Sequence, residues 1–392
     1  MEKKYLAVNN GSSSKKYALY KEREEVCRIN LEKAEGKFVF SWGGVVGVGR
    51  SEISEDDYRD GVGFVLNFLL DKKFIKDKSE IIGIGLRVVA PGKYFAENKV
   101  IDLEYEIRLK EVAERAPLHT GPIIAEIRSL KLNLEGAPIY AVSDSSFHST
   151  LSDVAGVYSL PTGVRKQYDF RRFGYHGISM MSAVEKLSVQ GALKERAIIC
   201  HLGSGSSITA LKNGKSFDTS MGFTPLEGLP MGTRIGDVDS GLILELARKL
   251  NFSIDDLENY LNKECGLKGL SGGTADVKSL LRLQDEGDES AKFALDYFIY
   301  RVAKYIGSYC VALGGLDSLV FTGAIGERSP VIRLRILNML EFLGVKLDES
   351  KNAENYGEDM KISSEASGAD VWVLTANEMR QIALEAIKMS NK

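Results

Sequence analysis

Cysteine is scarce, and the four that occur, Cys27, Cys200, Cys265 and Cys310, are scattered without a CxxC pair. That spacing excludes a disulfide framework and points to reduced thiols. Histidine also numbers four, and no spacing gives the paired ligands that zinc sites use. Proline is sparse at eight, and no low-complexity linker interrupts the chain. The most apolar stretch, Val62–Leu70, is far shorter than the roughly 20 residues of a membrane span. Charge of one sign is lacking too: 51 basic residues face 54 acidic ones for a net charge of −3. No global field therefore argues for nucleic acid or an anionic membrane. Met1-Glu-Lys-Lys runs directly into a strand-like segment with no signal-type apolar region, so a cytoplasmic protein is expected.

What is present is a globular composition, 44% hydrophobic and 27% charged over 392 residues, long enough for roughly two domains. Two short stretches look alike, Tyr5–Lys16 and Ala197–Thr209. Each is an apolar run, a turn of glycine and serine, and the start of a second run. A buried strand turning tightly on such residues presents backbone N–H groups and hydroxyls to one point, which suits phosphate oxygen. A single Gly/Ser turn is usually a plain hairpin. Two, with Gly11 and Gly203 nearly half the chain apart, suggest a duplicated fold in which each half offers a phosphate-gripping hairpin to a shared cleft.

Strand-like runs recur at Tyr5–Asn9, Lys37–Trp42, Ile82–Val89, Ile139–Ser143, Ala197–His201, Leu316–Thr322 and Val371–Thr375. Helix-like stretches lie at Asp56–Asp71, Lys110–Leu130, Ser253–Lys263 and Glu289–Leu313, the third opening on Ser253 as N-cap. The alternation reads as α/β. Gly- or Ser-rich turns follow several strands, and ligands gather at the carboxyl ends of strands in open α/β sheets. The domain boundary is expected after Asp144, with Glu378 opening a last helix that can return to the first domain. On Glu289–Leu313 the apolar and aromatic residues leave burial within one subunit and a dimer contact as equal readings.

All four histidines, His119, His148, His176 and His201, stand in polar or glycine-containing contexts, where loops on a rigid sheet carry function. Asp218–Asp237 has little periodicity, four glycines, two prolines and one basic residue, Arg234; a long ordered loop of this kind is usually functional. Arginine's planar fork binds two oxygens at once, although a surface ion pair is the commoner fate of an average arginine. Arg87 lies within an apolar strand and needs an anionic partner if buried.

These pieces together resemble acetate kinase and the short-chain acid kinases, within the superfamily of sugar kinases, heat-shock chaperone ATPases and actin. The resemblance rests on Asn9–Lys16, Arg87-Val-Val, Ala116–His119, Asp144–His148, Arg171–Gly177, His201–Ser207, Asp218–Asp239, Gly269–Gly272, Phe321–Glu327 and Thr375–Glu378, in order from end to end. It implies duplicated ribonuclease H-like (actin-like ATPase) domains, two lobes around a central cleft. One lobe is 1–144 with 377–392 returning to it; the other, 145–376, carries the nucleotide and the dimer contact. The implied activity is reversible transfer of the γ-phosphoryl of ATP to a short carboxylate, with Mg²⁺ or Mn²⁺, in a cytoplasmic homodimer.

Position by position, the resemblance makes Arg87, Asp144, His176 and Arg234 the catalytic set. Asn9 and Glu378 match residues that hold the metal, largely through water. Ser12, Ser14 and Lys16 match the phosphate-side hairpin. Arg87, Val89, Leu118, His119, Tyr175 and Pro225 match the acid site. His201, Leu202, Gly203, Ser204, Gly205, Asp276, Val277, Lys278, Ala324, Ile325, Gly326, Glu327 and Arg328 match the nucleotide segments. A carboxylate acceptor is already nucleophilic, so Asp144 reads better as an orienter of an arginine or metal shell than as a base.

Several positions depart from the family pattern: Ala90-Pro91-Gly92, Thr120-Gly121, Tyr175 for phenylalanine, Ser204, Lys278 for arginine, and Ala324 with Arg328. They leave donor and acid open. ATP with acetate is the default; pyrophosphate as donor, propionate or butyrate as acceptor, and a nucleotide-binding relative without catalysis are the alternatives.

Overall fold

A computed structural model describes residues 2–11, 14–34, 36–113 and 117–391, and the side chains of all of these except 117–119. The chain divides into two compact units, Met1–Ser146 with Asn377–Lys392, and Phe147–Ala376.

Among the described residues the first unit holds eight strands: β1 (Lys4–Asn10), β2 (Ser14–Lys21), β3 (Glu24–Ala34), β4 (Lys37–Gly44), β5 (Gly47–Ile53), β6 (Ile81–Val88), β7 (Lys99–Val100) and β8 (Ile139–Ser143). Their order in the sheet is β5-β4-β3-β2-β1-β6-β8-β7. The second holds β9 (Arg196–Leu202), β10 (Ser206–Lys212), β11 (Lys215–Thr219), β12 (Ser318–Thr322), β13 (Met360–Lys361) and β14 (Asp370–Val373), ordered β11-β10-β9-β12-β14-β13. The series β3-β2-β1-β6-β8 and β11-β10-β9-β12-β14 are the same plan. In each, an antiparallel meander of three strands continues through two parallel neighbours. This is a duplicated ribonuclease H-like architecture.

The central strands are apolar on both faces, as helices covering a sheet demand. All five residues of β8 and of β12 are buried. One core gathers Leu6, Ile29, Leu66, Leu86 and Ile127; the other gathers Ile198, Phe298, Val302, Phe321 and Ile336. The last helix, Glu378–Ser390, packs onto β1 and β6 in the first unit. Gly85 makes that approach possible, since a Cβ there would lie 2.8 Å from Ile382 Cγ2 and from the Ile382 carbonyl oxygen.

One helix expectation needs correction. Asp56–Asp71 is two helices, Glu55–Arg59 and Gly61–Asp71, because Asp60 leaves helical geometry between them. Lys110–Leu130 is helical at 110–113, in Leu103–Ala113, and at 117–130, in Pro117–Asn133; 114–116 lie outside the described residues. Ile254–Lys263 carries a full capping box, Ser253 and Asp256 each bonding the other's backbone N–H. The helix Glu289–Leu313 buries Leu295, Phe298, Val302, Ile306 and Tyr309 within its own unit while Phe293 and Tyr300 stay exposed. No helix among the described residues is long and apolar enough to cross a membrane.

Candidate active site

In the first unit β1, β6 and β8 run parallel, so their carboxyl ends share one edge. Asn9 is the last residue but one of β1, Arg87 the last but one of β6, and Asp144 follows β8. Arg87 donates from Nη2 to Asp144 Oδ2 at 2.8 Å and from Nη1 to Asn9 Oδ1 at 3.1 Å. Asn9 Nδ2 donates to Glu378 Oε2 at 2.8 Å, and that oxygen lies 3.7 Å from Arg87 Nη1. Glu378 opens the last helix, whose N-cap Asn377 accepts from the Arg380 N–H. Burial alone would lower the Arg87 pKa, but Asp144 and Glu378 outweigh it and push it up, so the guanidinium stays charged. Its Nε is buried without a hydrogen-bond partner among the described residues.

The hairpin beside this group closes through Gly11 N–H to Ser14 O at 2.8 Å, and Lys16 pairs in register with Asn9. Ser12 lies outside the described residues, as do the side chains of Leu118 and His119. Val89 follows β6 and is half-buried.

The second unit builds its own group. Gly174, Tyr175 and His176 have φ of +85°, +52° and +51°, three consecutive residues in the left-handed region that only glycine enters freely. His148, buried, fixes this strained turn: its Nε2 meets Tyr175 O at 2.7 Å and its Nδ1 meets Ser216 Oγ at 2.8 Å. A Cβ at Gly174 would collide with the His148 ring. His176 thereby precedes the helix Gly177–Val189 with Nδ1 3.0 Å from Ser207 Oγ, and its ring lies against His201 at 4.5 Å between centroids.

Arg234 reaches the same place. A Cβ built on Gly205 would stand 3.3 Å from His176 Nε2 and 3.6 Å from Arg234 Nη1, so both side chains converge at the β9–β10 turn. The Arg234 loop is laced to that turn by Gly232 N–H to Ser204 O at 3.2 Å. It is pinned from behind by Gly266, where a Cβ would strike Met231 O. Asp237 anchors its far end, accepting from Gly228 N–H at 2.8 Å, Arg301 at 2.8 Å and Tyr305 hydroxyl at 2.6 Å.

The Tyr175 hydroxyl donates to Phe223 O at 2.7 Å, so it is taken up by the backbone; Pro225 follows two residues later and is half-buried. Among the nucleotide segments, Leu202 and Val277 are core residues, which leaves only their backbones available. Asp276 caps the helix Val277–Asp285 through Ser279. Burial raises its pKa, but the Ser279 bonds prevail and hold it below the usual carboxylate range. Gly203 is buried and Lys278 exposed. Ala324, Ile325, Gly326, Glu327 and Arg328 form a short helix Gly323–Arg328 after β12.

Comparison with known proteins decides the lineage. The profile of the acetokinase family matches residues 4–384. The chain belongs to the acetokinase family. It is 39% identical to the acetate kinase of Clostridium novyi (strain NT) over 409 aligned residues, covering 99% of each chain. The acetate kinase of Porphyromonas gingivalis superposes with a TM-score of 0.88 at 32% identity, over 99% of this chain and 100% of that one. A propionate kinase from Francisella tularensis subsp. tularensis SCHU S4 gives 0.90 at 33% identity, over 98% and 99%. This acetokinase is accordingly a phosphotransferase with a carboxyl acceptor, and ATP is its co-substrate.

Sequence reading missed the residues that hold this acetokinase site in shape. His148 stood in a turn-like context but serves Tyr175. Asp237 and Arg301 meet across 64 positions of sequence, which no local pattern signals. Arg333, fully buried between Ile332 and Leu334, could have been suspected from its apolar neighbours alone.

Proposed function

We propose that the protein transfers the γ-phosphoryl group of ATP reversibly to acetate, giving acetyl phosphate and ADP. Transfer brings two anions together, so the site must neutralise charge and align donor with acceptor. A carboxylate oxygen attacks the γ-phosphorus, the bond to the β-phosphate oxygen breaks, and its electron pair leaves with ADP. No general base is needed.

Arg87, kept charged and oriented by Asp144, holds the acid's carboxylate. His176 and Arg234 stabilise the charge spread over the transferring group, and the β9–β10 turn with Asp276–Lys278 and Ala324–Arg328 seats the nucleotide. The convergence of His176 and Arg234 on Gly205 is the observation that carries the reading. Each such preorganised donor typically contributes about 2.7–4 kcal/mol.

No cluster of three or more metal-ligating side chains occurs among the described residues. The Asn9 amide and the Glu378 carboxylate are hard oxygen donors, suited to Mg²⁺ or Mn²⁺ retaining most of its water. They would hold the ion, which would neutralise phosphate charge.

Acetate is favoured over a more polar acid because the Tyr175 hydroxyl already bonds Phe223 O, which leaves the ring as an apolar surface. Propionate is the second acceptor, supported by the likeness to a propionate kinase. The half-exposed Phe293 and Tyr300, 57% and 53%, support a homodimer through the second unit, and the free thiols of Cys27, Cys200, Cys265 and Cys310 support a cytoplasmic protein. Hydroxamate trapping across ATP and pyrophosphate with acetate, propionate and butyrate tests the reaction. Robust turnover with pyrophosphate and none with ATP would overturn it. Light scattering showing a monomer at micromolar concentration would remove the dimer.

A further inference from the structure

Glu327 belongs by position to the nucleotide segments, yet its carboxylate is used inside the protein. Oε1 accepts from the Gly323 N–H at 2.9 Å, the Thr322 hydroxyl at 3.3 Å and the Ala376 N–H at 2.9 Å. Ala376 is the last residue of the second unit, and the returning segment of the first begins at Asn377. One residue further stands Glu378, the carboxylate bonded to Asn9. An amide held by the nucleotide segment is thus two residues along the chain from a candidate metal-holding side chain.

The residue before that amide is clamped as well. Lys186, on the helix that His176 opens, donates to the Thr375 carbonyl at 2.8 Å and to its hydroxyl oxygen at 2.6 Å, and it pairs with Asp359 at 2.6 Å. Asp359 in turn accepts from the Thr375 N–H at 2.8 Å. Glu327 itself has a rigid seat. Arg333, fully buried, donates to Gly326 O at 2.8 Å and Glu327 O at 2.9 Å, and it also bonds Asn352 and Asn355. Burial lowers its pKa to about 10, which is still high enough to keep it charged at neutral pH.

We propose that Glu327 and Lys186 are positioning residues. They fix Thr375–Ala376, the backbone that leads into Asn377 and Glu378, so that the start of the last helix is held for metal binding. The proposal rests on the kinase reading for the metal's role, but the tether itself does not.

Three variants test this: Glu327→Ala, Glu327→Gln and Lys186→Met. Glutamine keeps an acceptor oxygen for the same N–H groups, so it should keep the wild-type amide exchange. In ligand-free protein, amide exchange in peptides spanning Trp372–Arg380 should accelerate in Glu327→Ala and Lys186→Met only. Mn²⁺ affinity of the ADP complex, read by electron paramagnetic resonance, should weaken about 10-fold in those two, the low end of what losing a direct partner of a metal-holding side chain costs. Metal-free ADP affinity should hold in Lys186→Met. Unchanged exchange at Ala376–Glu378 overturns the tether, and unchanged Mn²⁺ affinity overturns its role. Loss of ADP affinity with Mn²⁺ affinity intact overturns it too, making Glu327 a nucleotide ligand. Acyl-phosphate formation by the wild type, measured in parallel, tests the kinase reading separately, since exchange needs no substrate.

Discussion

Arg87 and Asp144 form a buried ion pair, Nη2 to Oδ2 at 2.8 Å, with the Asp144 side chain 1% exposed and that of Arg87 19%. The carboxylate is spent on the arginine, and the arginine keeps one exposed flank. Adjacent parallel strands create the pair, because Arg87 sits in register with Val142 and Asp144 N–H bonds Val88 O.

Removing half of that pair should damage catalysis through orientation. Asp144→Asn keeps the shape but drops the charge that holds Arg87, and Arg87→Lys keeps the charge but loses the planar fork. Both should lower kcat/KM for acetate by about 10²–10³, the range of one lost preorganised donor. Steady-state kinetics by hydroxamate trapping reads this, and wild-type values in Arg87→Lys would deny the fork a role.

Arg234→Ala should lower kcat by a similar factor of about 10²–10³ and leave the thermal midpoint nearly unchanged, because the side chain sits at a turn and not in either core. A large fall in midpoint would make Arg234 a structural residue.

Tyr175→Phe removes the hydroxyl that bonds Phe223 O. The expected cost is about 1 kcal/mol of stability, measured by urea denaturation, with acid preference unmoved. A shift toward longer acids would show that the hydroxyl faces the substrate.

Glu126 supplies a pH prediction. Burial raises its pKa, and the Tyr17 hydroxyl bond at 2.8 Å offsets this only in part. Between the ordinary carboxylate value of about 4.3 and its raised value, the folded state binds more protons than the unfolded one. Stability therefore falls as pH rises through that window and stays lower above it. Glu126→Gln, which keeps an acceptor for Tyr17, should be more stable than wild type at pH 8, and the gain should vanish as pH drops toward 4. Urea midpoints at the two pH values decide, and an equal gain at both would contradict the assignment.

Much of this was legible in the sequence where chemistry is local. The two Gly/Ser turns marked the hairpins β1–β2 and β9–β10, and Ser253 with Asp256 marked a helix start. The aperiodic stretch Asp218–Asp237 marked the Arg234 loop. What stayed hidden depends on long-range packing. Nothing near Gly85 signals that Ile382 presses on it, and His148 and Ser216 stand 68 positions apart. Asp60 parts the helix Glu55–Arg59 from the apolar run that follows it, since periodicity reports the buried face and not local dihedrals. Glu327 was legible as part of a segment, but its partner Ala376 lies 49 positions away.

The central claim is tested most directly by incubating purified protein with ATP, Mg²⁺, acetate and hydroxylamine, beside Arg87→Ala and Arg234→Ala. The account predicts ATP-dependent acetyl hydroxamate from the wild type and a loss of about 10²-fold or more in each variant. Folded, ATP-binding protein that yields no hydroxamate from acetate, propionate or butyrate would contradict it.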